Sequence, residues 1–402
     1  MEPFVRITGK HIDYNLNLLP HLCFEVTEAC NLSCEYCTFS RLYSKGGHRE
    51  GTHMPFEVAK TIMDYLWAKW EKTGVKQIPA RLNISFYGGE PLLNFPLIET
   101  IINYVESNAS RINRHITFSM TTNALLLPRY IDFLVDKKFN LLISLDGDEW
   151  GDSYRINSRG EQSFHTVLHN VQEVQTRFPV YFQEHVSFNA VLNNRNSYKS
   201  IHSFFKKHFD KTPSISPLSR SNINPEEFNR FCSILNKGQT DLSCIPLQES
   251  PALYPFMNEF EMKSGNVYYD FDDLINDWKK GPTIPTGTCV PFMKKMFVTA
   301  RGRILQCERI DHDYYLGQIA GTSVELEPER VADMFNQRIY SYSNRCTSCK
   351  LVHYCMKCVY LEPEAFCSHY RNKTSDTIDI KGVSSHLPEA MEFIYSSKTI
   401  RR

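Results

Sequence analysis

Short apolar runs alternate with helical apolar patterns along the first half of the chain. The segment LCFEVTE (22–28) is typical of a strand, and further strands are predicted at 81–87, 115–121, 140–146, 181–188 and 213–218. Between them, apolar residues recur with helical spacing at about 55–70, 92–108, 127–138, 163–177 and 196–209. Such alternation favours right-handed crossovers and a parallel sheet. We therefore predict an α/β fold, a partial (β/α)6 TIM-like barrel, with its functional loops at the C-terminal ends of the strands.

The alternation stops after the sixth predicted strand. Loop-rich ends flank helical stretches at about 225–237 and 271–279, and cysteines crowd the last hundred residues. We expect four parts: a barrel over 1–218, a bridging region over 219–288, a cysteine-rich domain over 289–370, and a C-terminal tail with a short helix over 371–402.

The overall charge excludes some partners, and the number of cysteines indicates metal binding. Lys and Arg together number 45, as do Asp and Glu, which argues against a nucleic-acid partner. No apolar stretch is long enough to cross a membrane, and the first residues are not a secretory signal. Ten of the 13 cysteines stand at metal-ligand spacings. We therefore expect a cytoplasmic iron–sulfur protein with no membrane partner.

Three of these cysteines follow the first predicted strand. Cys30, Cys34 and Cys37, in the run CNLSCEYC, fit on one short loop and can converge on one cluster. A [4Fe–4S] cluster is normally held by four cysteines, so three ligands leave one iron open to a substrate or cofactor. The alternative is a structural zinc loop, but its next ligand candidates, His48 and His53, are badly spaced.

Polar motifs also follow the next three predicted strands. Gly88-Gly89-Glu90-Pro91 combines glycines that allow close backbone approach to a ligand with a carboxylate for a cationic amine. The same motif also occurs as an ordinary strand-to-helix turn. Thr121-Thr122-Asn123 offers polar groups suited to a ribose, and Ser144 to Gly147 leads to Arg155, a candidate carboxylate clamp. Each motif alone is weak evidence for ligand binding. Their joint placement at successive strand ends, beside an open iron, predicts a ligand-binding site.

The C-terminal cysteines form a second pattern. Cys289, Gly302 and Cys307 have the form C-x12-G-x4-C; a dense block then follows, Cys346-x2-Cys349-x5-Cys355-x2-Cys358, and last Cys367. Two C-x2-C pairs can hold zinc, but five residues between the pairs are too few for a zinc ribbon. Two fully ligated clusters need eight cysteines, and this series supplies seven.

These motifs together resemble the radical S-adenosylmethionine superfamily over about residues 20–218. The resemblance rests on CNLSCEYC, GGEP, TTNA, SLDG with DSYR, and a Gly160…Ser163-Phe164 run. It implies that the open iron chelates S-adenosylmethionine, whose cleavage gives a 5′-deoxyadenosyl radical that abstracts hydrogen from the substrate. The resemblance also implies, by position, which residues contact S-adenosylmethionine. Tyr36 would pack near its adenine, and Gly88, Gly89 and Glu90 would bind its amino group. Asn123 and Ser144 would lie near its ribose, and Arg155 would bind its carboxylate.

The C-terminal series resembles the SPASM extension of these enzymes, which carries two auxiliary clusters. The resemblance implies three [4Fe–4S] clusters in all, with an outer auxiliary cluster on Cys346, Cys349, Cys355 and Cys367 and an inner one on Cys289, Cys307 and Cys358. The family's last spacing in the dense block is usually x3, and in this chain it is x2. The inner cluster is one ligand short: Cys244, Cys232 or another group completes it, or an iron is left for a substrate thiolate.

The resemblance also suggests a catalytic base. Glu308 follows Cys307 at the place where relatives that oxidise a side chain have an acidic residue, and such a carboxylate would accept the substrate's proton. The alternative is a surface ion pair with Arg303 or Arg309. Asp146 is a second candidate base.

SPASM-bearing enzymes mostly modify peptides or proteins. We expect a radical S-adenosylmethionine oxidoreductase that makes a thioether or carbon–carbon crosslink in a ribosomally made peptide. The alternatives are an anaerobic sulfatase-maturating enzyme that forms formylglycine from cysteine or serine, and a non-catalytic iron–sulfur protein. Only 29 residues precede Cys30, too few for a winged-helix leader-binding module. We therefore expect a leader to bind at the barrel edge, at the 219–288 segment or to a separate leader-binding protein. A flavodoxin or ferredoxin would supply electrons.

Overall fold

The computed structural model describes residues 6–44, 49–73, 81–112, 114–219, 222–235, 288–347 and 358–361. The chain forms two compact units. One consists of Thr8–Cys244 with Pro291–Ala332, and the other of Met1–Ile7, Ile245–Val290 and Asp333–Arg402. The domain boundaries expected from the sequence stay predictions.

Six parallel strands in sequential order form the centre of the first unit. They are β1 (His21–Thr27), β2 (Arg81–Gly88), β3 (His115–Thr122), β4 (Asn140–Ser144), β5 (Val186–Leu192) and β6 (Ser214–Pro217). Helices occupy the connections: α1 (Gly9–Leu18) before β1, then α2 (Phe56–Thr73), α3 (Phe95–Asn108), α4 (Leu127–Asp136), α5 (Glu149–Asp152), α6 (Phe164–Arg177), α7 (Pro179–His185) and α8 (Tyr198–Phe209). This arrangement confirms the predicted α/β class and the parallel sheet.

The sequence patterns were wrong at one strand. Residues 181–185, predicted as the start of a strand, belong to α7, and β5 begins only at Val186. Pro179 occupies the first turn of α7, where its missing N–H costs no helical hydrogen bond. Phe182 is fully buried and packs against Phe188 and Phe209. Tertiary packing therefore outweighs the β-propensity of the aromatic run.

The helix predicted at 225–237 is shorter than expected. A 3₁₀ turn covers Pro225–Glu227, and the α-helix α9 covers only Phe228–Ile234. The helix predicted at 271–279 lies outside the described residues.

A run of short strands extends the sheet beyond β1. β7 (Met296–Val298) pairs parallel with β1, and β8 (Arg303–Leu305), β9 (Gly317–Ala320) and β10 (Ser323–Glu325) follow as antiparallel neighbours. Strands of three or four residues carry too little periodicity to be predicted from the sequence. Gly302, the glycine of the C-x12-G-x4-C pattern, stands in the turn between β7 and β8 with a φ of 80°.

The two faces of the parallel sheet differ in chemistry. On one face, Phe24 and Phe86 are buried and stack at 6.5 Å between ring centroids. On the other, the Nε2 atom of His21 lies 2.6 Å from the Ser85 hydroxyl oxygen, and Asn83 donates to Ser119 at 2.9 Å. Strand side chains alternate between faces, so the apolar residues pack against the helices while polar residues collect on the opposite face.

The second unit is described in part. It includes the C-terminal portion of α10 (Pro328–Tyr340) and α11 (Ser343–Thr347). The Asn336 side chain accepts from Ile7 N and donates to Ile7 O, and the Val359 N–H donates to the Thr288 hydroxyl at 2.9 Å. In the part of the chain that the structure describes, no helix has the length and apolar character needed to cross a membrane.

Candidate active site

The loop after β1 carries the three cysteines predicted to hold a cluster. Cys30 is exposed, Cys34 and Cys37 are half-buried, and the Cys37 N–H donates to the Cys34 carbonyl at 3.1 Å. Burial raises the pKa of Cys34 to about 12, and the nearby thiols of Cys37 and Cys30 act in the same direction. Three neighbouring thiols on one loop fit the donor set of a cluster with an open iron. Across the described ranges, no three His, Cys, Asp or Glu side chains are already grouped to hold a metal ion.

Gly88, the last residue of β2, and Gly89 pack against the residues that lead into the cysteine loop. A Cβ atom added to Gly88 or Gly89 would lie 2.1 Å from the carbonyl oxygen of Thr27 or Ala29, respectively. Gly88 also has a φ of 144°, in the region that favours glycine. The close approach that the sequence assigned to a ligand is therefore made to the chain's own backbone, immediately before Cys30.

Glu90 connects the ends of three strands. Its fully buried carboxylate accepts from the Asn123 N–H at 2.7 Å, the Thr122 hydroxyl at 2.8 Å and the Leu92 N–H at 3.1 Å. Burial raises its pKa to about 7, although these donors act in the opposite direction. The Asn123 amide then donates to Asn31 at 2.7 Å on the cysteine loop. Asn123 thus contacts the cysteine loop directly and Glu90 is linked to it through Asn123, while the predicted ligand-binding roles of both residues stay predictions.

Asp146 is the centre of a second buried network. It accepts from Arg155 at 2.9 and 3.1 Å, from the Val191 N–H at 2.7 Å, and from the Tyr36 hydroxyl. It has no exposed surface. A carboxylate with these four donors is an anchor rather than a proton acceptor, so the geometry argues against Asp146 as a base. Arg155, the predicted carboxylate clamp, is already paired with Asp146.

Asp152 is a neighbour that the sequence analysis missed. It lies 3.4 Å from Arg155, and among the described residues its Oδ2 atom is buried without a hydrogen-bond partner. Burial and the charge of Asp146 raise its pKa well above the usual range, which favours the neutral form of this carboxyl. The sequence shows only an acidic residue at the end of a short helical turn, and its burial depends on the tertiary fold.

The segment from Asn222 to Leu235 packs beside the cysteine loop. Asn224 N donates to Leu42 O at 2.9 Å, and the guanidinium of Arg230 pairs with Glu35. Cys232, a candidate eighth cluster ligand, packs against a hydrophobic cluster that includes Tyr36 and Phe231. This packing favours a structural role for Cys232.

Glu308 lies in an ion pair different from the expected ones. Its carboxylate is 2.8 Å from the Lys295 ammonium, whereas Arg303 lies 3.7 Å from Asp313. Burial alone would raise the pKa of Glu308, but Lys295 outweighs it and the net shift is downward. Burial raises the pKa of Tyr87, and the charges of Glu308 and of Cys37 raise it further. Sequence reasoning missed Lys295 because nothing in its local pattern distinguishes it from other lysines.

The remaining predicted ligands are only partly described. In the second unit, the charge of Cys289 raises the pKa of the Cys358 thiol, after burial as the larger cause, so these two predicted ligands of the inner cluster are neighbours. In the first unit, Cys307 lies 3.6 Å from the Glu308 carboxylate. Cys346 is half-buried on α11, and Ser144 ends β4. Cys244, Cys349, Cys355, Cys367 and His48 lie outside the described residues.

Comparison with known proteins agrees with this geometry. Residues 24–206 match the family model of the Radical SAM superfamily. Relatives include an uncharacterized protein of Methanocaldococcus jannaschii, 34% identical over 36% of this chain and 45% of its own length. Another is the radical SAM cyclopropyl synthase TigE of Paramaledivibacter caminithermalis, 26% identical over 42% of this chain and 34% of its own length. The chain thus spans less than half the length of these two relatives.

Two further matches cover most of the chain. The serine-type anaerobic sulfatase-maturating enzyme of Bacteroides thetaiotaomicron is 23% identical over 82% of this chain and 80% of its own length. The solved structure "Native anSMEcpe with bound AdoMet" aligns over 93% of this chain and 98% of its own, with a TM-score of 0.57 and 17% identity, and shows a shared fold.

The family match falls within the first unit. Residues 24–206 resemble a radical S-adenosylmethionine domain, and the cysteine loop, the Gly88-Gly89-Glu90 turn and Asn123 all lie within the matched range. Relatives that share this domain are named as a cyclopropyl synthase and a sulfatase-maturating enzyme, so the sequence-based assignment to a family of enzymes is confirmed.

Proposed function

We propose that this protein is a radical S-adenosylmethionine enzyme that oxidatively modifies a peptide, forming a thioether or carbon–carbon crosslink. The observation that carries the proposal is the convergence of the β2 and β3 ends on the cysteine loop, through Gly89, Glu90 and Asn123. When bound, a cluster on the loop cysteines and S-adenosylmethionine would supply a 5′-deoxyadenosyl radical for hydrogen abstraction.

The chain's own residues would orient the cofactor and accept the proton that the substrate loses. Glu90 fixes the backbone of Asn123 beside the cysteine loop, and the Asp146–Arg155 pair fixes the Tyr36 side chain of that loop. Glu308 is the proposed proton acceptor, because it lies on the polar face of the sheet and is kept ionised by Lys295. Loss of one hydrogen atom, one proton and one electron amounts to a two-electron oxidation of the peptide.

Two auxiliary [4Fe–4S] clusters are proposed as the electron acceptors. The inner one would be held by Cys289, Cys307 and Cys358, and the proximity of Cys289 to Cys358 supports this assignment. The outer one would be held by Cys346 together with Cys349, Cys355 and Cys367. We also propose a cytoplasmic location, a flavodoxin or ferredoxin as reductant, and a separate leader-binding protein.

Anaerobic sulfatase maturation is the second candidate. It is favoured by the sulfatase-maturating relative that aligns over 80% of its length. The two reactions differ in substrate: a short precursor peptide in the first case, and a sulfatase segment with a cysteine or serine in the second.

Mass spectrometry of both peptide types after anaerobic turnover tests the proposal. A crosslink in the precursor peptide appears as the loss of two hydrogens, with fragmentation interrupted between the joined residues. A formyl product in the sulfatase peptide would instead establish the second candidate. Loaded protein that cleaves S-adenosylmethionine but alters neither peptide contradicts both.

A further inference from the structure

Arg195 lies at the C-terminal edge of the strands, close to the cysteine loop. It stands in the loop after β5, three residues beyond Leu192, and its guanidinium carbon lies 3.9 Å from the centroid of the Tyr154 ring and 4.5 Å from that of Trp150. Its Nη1 atom donates to the Ser153 hydroxyl at 2.6 Å. Two aromatic rings and one hydrogen bond therefore hold the guanidinium in a fixed position.

The acidic residues that flank Trp150 in the sequence, and Glu35 on the cysteine loop, have other partners. Glu149 lies 3.1 Å from His165, Asp148 accepts from the Gly151 N–H at 2.9 Å, and Glu35 pairs with Arg230. Among the described residues, no carboxylate forms an ion pair with Arg195. An ordered guanidinium with open donors is suited to bind a carboxylate through two parallel hydrogen bonds.

The position of this arginine connects it to the reaction site. The carbonyl of Tyr154 accepts from the Glu35 N–H at 3.1 Å on the cysteine loop, and the ring of Tyr154 meets that of Tyr36 edge-on at 6.3 Å. Trp150 is 63% exposed, an unusual state for so large an apolar side chain. Trp150 and Arg195 thus offer an apolar surface and a positive charge, and only Tyr154 separates them from the cysteine loop.

We propose that Arg195, stacked on Trp150 and Tyr154, binds a carboxylate of the peptide substrate and so places the peptide beside the cysteine loop. This inference rests on the proposed function, because it assumes a peptide substrate. The carboxylate is either an acidic side chain or the peptide's own C-terminus, since both offer the same two oxygens.

Three short synthetic peptides of otherwise identical sequence test the proposal by direct binding to the full chain. The first has a central glutamate with blocked termini, the second a glutamine in its place, and the third the glutamine with a free C-terminal carboxylate. We expect at least about tenfold tighter binding of the glutamate peptide or the free-carboxylate peptide than of the blocked glutamine peptide. Whichever of the two binds more tightly identifies the source of the carboxylate.

Variants assign this preference to Arg195. Arg195→Gln should bind the three peptides alike, and Arg195→Lys should retain part of the preference. The matched control is Arg177→Gln, which removes an arginine that also lies over an aromatic ring, Phe178, but at the end of α6. This control should keep the full preference.

Two results would overturn the proposal: equal binding of all three peptides by the unaltered protein, or an unchanged preference in Arg195→Gln. Formation of 5′-deoxyadenosine by the unaltered protein is measured in parallel. Its absence with an intact Arg195-dependent preference would reject the proposed function only. Its presence without any preference would reject the carboxylate site only.

Discussion

Asp146 and Asp152 are two buried aspartates that share one arginine, Arg155, and they differ in their hydrogen-bond partners. Asp146 receives hydrogen bonds from Arg155, Tyr36 and Val191 and provides the negative charge of the pair. Asp152 lies beside it with a pKa well above the usual range, because burial and the Asp146 charge both oppose its ionisation. The two carboxyl groups therefore share one guanidinium, and the environment of Asp152 favours its neutral form.

The substitutions Asp146→Asn and Asp152→Asn should therefore differ sharply. Asp146→Asn leaves Arg155 buried without its counter-charge and should lower the free energy of unfolding by about 3 kcal/mol or more. Below the usual aspartate pKa, where Asp152 is neutral in the folded and the unfolded chain, Asp152→Asn replaces a neutral group by a neutral group and should change the free energy of unfolding by less than about 1 kcal/mol. Because the folded chain binds the Asp152 proton more tightly than the unfolded chain, this variant should also lose less stability as the pH rises above the usual aspartate pKa. Urea unfolding at several pH values measures both effects, and equal losses in the two variants would contradict this charge assignment.

Glu308 is the residue whose substitution should separate radical formation from product formation. Glu308→Gln keeps the shape of the side chain but removes the proposed proton acceptor beside Cys307. We expect S-adenosylmethionine cleavage to continue while the yield of modified peptide falls by about 10²-fold or more.

The matched control for this variant is Glu327→Gln, an exposed glutamate of the same unit. Chromatographic quantification of 5′-deoxyadenosine and modified peptide in one reaction gives both yields. A Glu308→Gln variant with the normal ratio of the two would exclude Glu308 as the acceptor.

At the level of elements, the ends of β1 and β2 act as one structural piece. The Gly89 N–H donates to Thr27 O at 2.9 Å, and the Glu90 N–H donates to Ala29 O at 2.9 Å. These bonds set the direction in which the chain enters the cysteine loop. The glycines at 88 and 89 are thus required by strand packing, independently of any ligand.

Gly89→Ala should therefore disrupt the cysteine loop. The added Cβ would lie 2.1 Å from the Ala29 carbonyl, so the loop must move away from β2. We expect loss of the radical-generating cluster, measured as a fall in bound iron of about four per chain. Gly160→Asn is the control, since no atom lies within 4 Å of an added Cβ there and asparagine tolerates the positive φ. A fully loaded Gly89→Ala protein would contradict this account.

Long helices and the strands of the parallel sheet were predicted well from the sequence, whereas short helices and strands were predicted poorly. Long periodic segments such as Phe164–Arg177 carry their own signal, and the predicted helix at 163–177 agrees with it closely. In contrast, α7 and β7 depend on contacts made across the fold, by Phe182 with Phe188 and by β7 with β1. Local patterns contain no information about such partners.

The candidate site was predictable where chemistry is encoded in spacing. The cysteines and the strand-end motifs were identified from their residue types, whereas their partners were not. Asp152 and Lys295 are ordinary charged residues in the sequence, and their importance arises from burial next to Arg155 and Glu308. Pairing of charges in three dimensions is therefore the part of the site that only the structure supplies.

For the whole molecule, the account requires three clusters in one chain. Fully loaded protein should contain about twelve irons, four for each cluster. Cys289→Ala should lose about four of them from the inner auxiliary cluster. Cys23→Ala should lose none, because Cys23 is buried on β1 and is not among the predicted ligands. Iron analysis with Mössbauer spectroscopy gives these counts, and full iron in Cys289→Ala would remove the inner cluster from the account.

The most direct test of the central claim is 5′-deoxyadenosine formation under anaerobic conditions. Reconstituted protein is incubated with S-adenosylmethionine and a strong reductant, in parallel with a variant in which Cys30, Cys34 and Cys37 are all replaced by alanine. The account predicts 5′-deoxyadenosine and methionine in equal amounts from the unaltered chain and neither from the variant, which should still retain its auxiliary iron. If fully loaded unaltered protein forms no 5′-deoxyadenosine, or the variant forms as much, the account is contradicted.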